Sequence, residues 1–384
     1  MMAKKSEVKS KMATPAGDII LIVTVVLLSL FGTVMVASAG YSFAELRYGD
    51  AFYFIKRQAV WLAVGFFAMW CGTRTPLSLV RRMSPVLYGV TLVLLILTLA
   101  IGMVGNGAQR WIAIGPITIQ PSEIAKLTLV LMLARYFSDN EGRACLERHR
   151  GKDFLWGTLF PCLILIVPIL LVMLQHHLSC IIILGMLGLL LIITAGINMR
   201  YIYAFMGLGG VGVAYIAFFT DYTKERITVW QNPEAYKLTG GWQTLQGLMA
   251  IGSGGLFGKG LGKGELKHSY VAEPANDMIY AILCEELGFV GAVTVLFLFG
   301  ALIYRGYKIA MRASDTFSRL VAMGITYKMA IQVLLNVAVV TNTIPNTGIS
   351  LPLFSYGGSS LIMILFEMGL LISISKKKGE EQGK

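Results

Sequence analysis

Charge is scarce in this sequence. Only 14% of its 384 residues are Asp, Glu, Lys or Arg, against 56% hydrophobic, and the mean hydropathy is +0.69. A water-soluble domain of this length needs far more polar surface, so the composition points to a chain embedded in a membrane. Cysteine and histidine are scarce as well. Cys71, Cys145, Cys162, Cys180 and Cys284 are scattered, odd in number and without CxxC spacing, which argues against a disulfide framework or a zinc site. His176 and His177 are adjacent and would point about 100° apart on a helix. His149 and His268 have no ligand spacing either, so no metal site is expected.

The charge that is present has a sign. Lys and Arg number 33 against 21 Asp and Glu, a net charge of +12. No basic stretch is interleaved with aromatics in the manner of a nucleic-acid surface, so nucleic acid is not expected as a partner. Basic cytoplasmic loops flanking membrane spans account for the excess.

Ten runs are apolar over enough residues to cross a bilayer: 18–39, 53–72, 84–104, 121–137, 154–174, 178–196, 200–220, 276–304, 317–343 and 357–375. The expected fold class is an all-α polytopic membrane protein of about ten transmembrane helices. The first run imitates a secretory signal, with a basic start and small residues at 37–39. Its apolar core from Ile19 to Val36 is longer than the roughly 7–15 residues of a signal, so it reads as an uncleaved span. With loops assigned alternately, 19 basic residues fall on one side and 10 on the other. That bias puts both termini in the cytoplasm. The chain then divides into a cytoplasmic tail (1–17), one transmembrane domain (18–375) and a basic cytoplasmic tail (376–384). A long, Gly-rich extracytoplasmic loop at about 221–275 separates spans seven and eight, and loops of that length usually carry function. Without a soluble domain, the chemistry belongs at the outer membrane surface.

Four stretches carry candidate chemistry, each with a blander alternative. In "GNGAQRWIAIGPITIQPSEIAKL", Pro121 and Glu123 suit the first turn of a helix, and Lys126 falls on the same face, in reach of Glu123. A structural ion pair is the plain reading there, and an interfacial anchor is the plain reading of Arg110 and Trp111. The loop "GGWQTLQGLMAIGSGGLFGKGLGKGELKHS" fails the P-loop test, because Ser253 stands where the first Gly should be and Gly260 follows Lys259. Its glycines with Lys259, Lys263 and Lys267 could still lie against lipid phosphates, or form a flexible loop. In "EPANDMIYAILCEELG", Glu285 and Glu286 read as buried packing, about 12 Å deeper in the span than Asp277. Asp277 itself, at the outer mouth, is placed to act as a base. Finally, Pro345, Pro352, Gly348, Gly357 and Gly358 break any helix over 342–361, and irregular backbone at membrane depth lines a cavity or is buried in protein.

Together these motifs resemble the SEDS family (shape, elongation, division and sporulation), the FtsW/RodA/SpoVE cell-wall polymerases. An RW…QPSE…K segment matches Arg110, Trp111, Gln120, Pro121, Ser122, Glu123 and Lys126, and a GWQ…Q…GG…GKG loop matches from Gly241 to Gly260. An Asp ahead of EELG matches Asp277 and Glu285 to Gly288, and a PxTGxxLPxxSYGGSS segment matches Pro345 to Ser360. The family's His-Thr pair before the Asp is replaced by Ala275 and Asn276, and its PDLG-like segment by His176 to Ser179.

The resemblance implies a peptidoglycan glycosyltransferase that polymerises lipid II outside the cytoplasmic membrane. It also implies a class B penicillin-binding protein as partner, with undecaprenyl pyrophosphate and membrane lipids as further contacts. Asp277 is then the catalytic base. Arg110, Glu123, Lys126, Trp242, Gln243, Lys259, Lys263 and Ser355 are the candidate substrate-binding residues. A sugar hydroxyl must lose its proton as it attacks, whereas the pyrophosphate leaves as a stable anion, so one carboxylate suffices where a glycosidase needs two. Basic groups stabilise the departing charge. No cofactor is evident, and a divalent cation at the pyrophosphate stays open. The rival expectation is a flippase for the lipid-linked precursor, which ten spans and intramembrane acids would also fit.

Overall fold

The computed structural model describes residues 18–105, 108–115, 117–140, 154–196, 203, 207, 221–267 and 274–381. The tail 1–17, the basic segment 143–152, residues 268–273 and, apart from two single positions, the expected seventh span lie outside the described residues.

Among the described residues, eleven α-helices run in order: α1 (Ile19–Tyr48), α2 (Tyr53–Arg74), α3 (Leu77–Ile101), α4 (Pro121–Asp139), α5 (Phe160–Leu174), α6 (Leu178–Thr194), α7 (Asp221–Gln231), α8 (Gly241–Ser253), α9 (Ile279–Met311), α10 (Thr316–Val340) and α11 (Gly358–Glu381). Five of these, α1, α3, α9, α10 and α11, are long and apolar enough to cross a membrane, and α5 and α6 are shorter apolar helices. Each expected run outside 200–220 therefore becomes a helix. The expectation of an all-helical chain needs one correction. Strands β1 (Met103–Gly105), β2 (Ala108–Ile114) and β3 (Ile117–Ile119) form a small antiparallel sheet between α3 and α4. Ile112 and Ile114 on one side of a turn at Gly115, and Ile117 and Ile119 on the other, alternate with Ala113 and Thr118, a hairpin signal that the long apolar runs overshadow.

Asp18 fixes one end of the bundle. Its carboxylate caps α1 by accepting from the Leu21 N–H, and it also receives Arg305 of α9 at 3.0 Å. Its own N–H reaches Ser375 of α11. From the opposite end, α2 and α11 run parallel and in contact, through Phe54 with Tyr356 and then Gly72 with Gly369. A Cβ on Gly72 would stand 3.1 Å from Gly369 Cα, so only small residues let the backbones meet there.

The helix that carries the acidic motif is broken. Gly288 adopts φ 67° and ψ −168° inside α9, splitting it into a short upper limb and a long lower one. Tyr280 Oη reaches the carbonyl of Ala292 at 3.4 Å, although twelve residues of straight helix would rise about 18 Å. The upper limb is tied at both ends. Asn336 of α10 donates to the Asp277 carbonyl at 3.0 Å, and Ser38 of α1 donates to Glu286 at 2.7 Å. Ser38 lies twenty residues beyond Asp18, and Asn336 twenty-one beyond Asp315, the cap of α10, so each is about 30 Å from the Asp18 end. The limb thus runs across the bundle top, and Glu285 and Glu286 lie about level with Asp277. That overturns the expectation that Glu285 sits about 12 Å deeper. Gly288 is the reason.

Candidate active site

Asp277 sits half-buried just ahead of the upper limb, facing the broken segment between α10 and α11. Gln243, in the first turn of α8, donates from Nε2 to Asp277 Oδ1 and Oδ2 at 3.2 and 3.3 Å. The Gln243 carbonyl in turn accepts from Asn346 Nδ2 at 3.1 Å. Asn346 Oδ1 accepts from the Gly348 N–H at 3.0 Å, and Arg226 of α7 donates to the Asn346 backbone carbonyl. The order of donors and acceptors fixes which way both amides face. Below them, Asn336 also donates to the Ile349 carbonyl at 2.6 Å, clamping the broken segment to Asp277.

Ser355 serves that clamp. Its hydroxyl accepts from the Leu351 N–H and donates to the Asn276 carbonyl, both at 2.7 Å, while Tyr356 donates its N–H to the Ala275 carbonyl. Expected as a substrate contact, Ser355 is committed to backbone groups on both sides of the site and is buried.

The Gly-rich loop after α8 lies at the other end of the limb. At the Gly288 break the helix leaves backbone groups unpaired, and the loop supplies partners. Phe289 and Val290 donate to the carbonyls of Gly255 and Leu256, and Lys259 and Gly260 donate to those of Glu285 and Glu286. Such exchange needs close backbone approach: a Cβ on Gly258 would run into the Glu286 carbonyl, and Gly258 also has φ 79°. Lys259 Nζ lies 3.0 Å from Glu285 Oε1, a hydrogen bond that holds the Lys259 ammonium above the usual lysine range. Lys267 Nζ lies 2.6 Å from Glu286 Oε1, with both side chains buried, and 3.0 Å from Ser38. The loop is therefore neither a phosphate cradle built on its glycines nor slack chain; it caps a broken helix. Lys263 remains exposed.

Glu123 and Lys126 form the expected pair at 2.7 Å, both buried, with Ser360 of α11 at 3.4 Å from the second Glu123 oxygen. Arg110 of β2 donates to the His176 carbonyl at 2.7 Å. One residue on, His177 meets Ser122 at 3.4 Å, and Ser179 donates to the Thr347 carbonyl. These links carry the QPSE segment to the broken segment and so to Asp277. Trp242 and Gln243 join from α8. Lys259 and Lys263 do not, because they lie at the far end of a limb of about 12 Å. Arg226, Asn336 and Asn346 carry no carboxylate and no motif spacing that would single them out in the sequence; Asn346, beside Pro345 in the broken segment, is the most legible of them.

The model of the FtsW/RodA/SpoVE cell cycle proteins matches residues 18–380. The chain belongs to that family. Stage V sporulation protein E of Bacillus subtilis is 38% identical over 362 residues, covering 94% of this chain and 97% of that protein. The probable peptidoglycan glycosyltransferase FtsW of Geobacter sulfurreducens is 36% identical over 364 residues, covering 94% and 95%. Among solved structures, one of a peptidoglycan synthase complex that coordinates polymerization and crosslinking superposes with a TM-score of 0.77 at 26% identity, over 94% of this chain and 98% of that one. Thermus thermophilus RodA gives 0.69 at 28%, with the same coverage.

Proposed function

We infer that this FtsW/RodA/SpoVE protein is a peptidoglycan glycosyltransferase that extends glycan strands from lipid II. The observation that carries the reading is the carboxylate of Asp277, steadied by Gln243 and walled by the broken segment. In the step, an acceptor hydroxyl gives its proton to Asp277 while its oxygen bonds the donor's anomeric carbon. The bond from that carbon to pyrophosphate breaks, and its electron pair leaves with the lipid pyrophosphate. Gln243 is a neutral donor, so it orients the carboxylate without neutralising it. Arg110 is the cation offered to the departing charge, and Trp242 lies beside Gln243 at the rim; Glu123 and Lys126 hold the α4 end that supports Arg110's neighbours, while Lys263 stays at the far end of the limb. A divalent cation at the pyrophosphate would be supplied with the substrate, and loss of synthesis on chelation would reveal it.

A topology of ten spans, with both termini cytoplasmic and the 221–275 loop outside, suits this reading, because Asp277 would then face the outer surface of a bacterial cytoplasmic membrane. The synthase complex among the similar structures supports a crosslinking partner of the class B penicillin-binding type. The flippase alternative is not favoured, since the FtsW relatives carry a glycosyltransferase name. Proteoliposomes loaded with lipid II and the protein with its partner test the choice: long glycan is expected, and lipid II moved between leaflets without polymer would reverse it.

A further inference from the structure

Beside Asp277 lies a cavity of about 230 Å3 that no step above has used, lined by Glu225, Arg226, Trp230, Gln243, Thr244 and Asn346 among others. Its composition selects against one half of the substrate. A pyrophosphate needs several cations, whereas the one cation among the described lining residues, Arg226, follows an acid in the chain and donates to a backbone carbonyl. Amides, a hydroxyl and an indole instead match a sugar ring, whose hydroxyls pair with amides and whose C–H face packs on an aromatic. Trp230 is fixed for that purpose: its Nε1 donates to the Asn342 carbonyl at 2.9 Å, so its polar edge is occupied and its face is what remains to offer. Gln243 lines the cavity and touches both oxygens of Asp277, so a sugar bound there lies one side chain from the base.

We propose that this cavity is the acceptor-sugar subsite, with Trp230 as its stacking platform and Gln243 as the group that brings the attacking hydroxyl to Asp277. The proposal rests on the glycosyltransferase reading. The test uses the protein with its partner, lipid II, and the substrate's disaccharide freed of lipid and pyrophosphate. That probe has a hydroxyl to attack with but no leaving group, so it can enter a glycan only as an acceptor. With wild type, labelled disaccharide is expected at chain ends and shortens the product. Trp230→Ala, and Trp230→Leu which keeps the bulk without the ring, should each need about tenfold more probe, and Trp230→Phe about twofold at most, with inhibition by inorganic pyrophosphate unchanged in all three. Equal use of the probe by wild type and Trp230→Leu overturns the proposal. So does a loss of pyrophosphate inhibition in place of probe use, which would make the cavity a leaving-group site. A wild type that makes no glycan from lipid II at all removes the enzyme reading, and the proposal with it, and is told apart by that failure.

Discussion

Gln243 Nε2 lies 3.2 and 3.3 Å from the two carboxylate oxygens of Asp277, and Asn346 holds the Gln243 carbonyl at 3.1 Å from the other side. Turning the Gln243 amide over would set its carbonyl against a carboxylate and its NH2 against another NH2. The network therefore admits one orientation, and it points a neutral donor at the base. Gln243→Leu should leave the carboxylate unaimed, lowering kcat roughly tenfold to a hundredfold, which steady-state rates of glycan synthesis would measure. Wild-type rates from that variant would reduce Gln243 to packing.

Gln243→Glu asks a different question. A second carboxylate about 3 Å from Asp277 disfavours ionisation of the first, so the base is charged only at higher pH. The acid limb of the pH–rate profile should move upward, with activity recovering in alkaline buffer. An unmoved limb would place the rate-controlling base elsewhere.

Lys267 and Glu286 form a buried pair at 2.6 Å that ties the Gly-rich loop to the limb and, through Ser38, to α1. Removing one charge strands the other, at a cost of about 3–5 kcal/mol, while removing both is far milder. Glu286→Leu alone should lower the melting temperature in detergent markedly. The double variant with Lys267→Leu should recover most of it; an equal loss in both variants would mean that the pair contributes by packing alone.

Gly258→Ala should be worse than its size suggests. The position has φ 79°, and a methyl group there meets the Glu286 carbonyl, so the loop must leave the Gly288 break and expose the backbone groups it satisfies. Loss of folded protein, or of activity in what folds, is the expected outcome, read by detergent size-exclusion and glycan synthesis. Gly262→Ala is the control, since nothing lies within 4 Å of a Cβ there, although its φ of 80° carries the same local strain.

Much of this molecule is legible in its sequence because apolar runs announce helices whatever surrounds them. α1, α10 and α11 follow that rule, and the Glu123–Lys126 pair follows from helical spacing alone. What escaped depends on contacts between distant segments. Glu285 and Glu286 read as deep on a straight helix, yet the partners that make the Gly288 break tolerable come from residues 255–260, some thirty positions earlier. The same holds for Lys259 and Lys267, whose basic spacing suggested phosphate until their acids were in view. Arg226 and Asn346 matter through one carbonyl and one amide, which leave no periodic trace.

The central claim is that Asp277 takes the acceptor's proton, and glycan synthesis from purified lipid II, by the protein bound to a partner with its transpeptidase blocked, tests it most directly. Asp277→Asn keeps the side chain's size and one of the two oxygens that Gln243 contacts but removes the base, and a general base typically contributes about 10²–10⁴-fold. The account predicts polymer from wild type and essentially none from the variant, with both equally stable and equally bound to the partner. Comparable polymer from the two would contradict it.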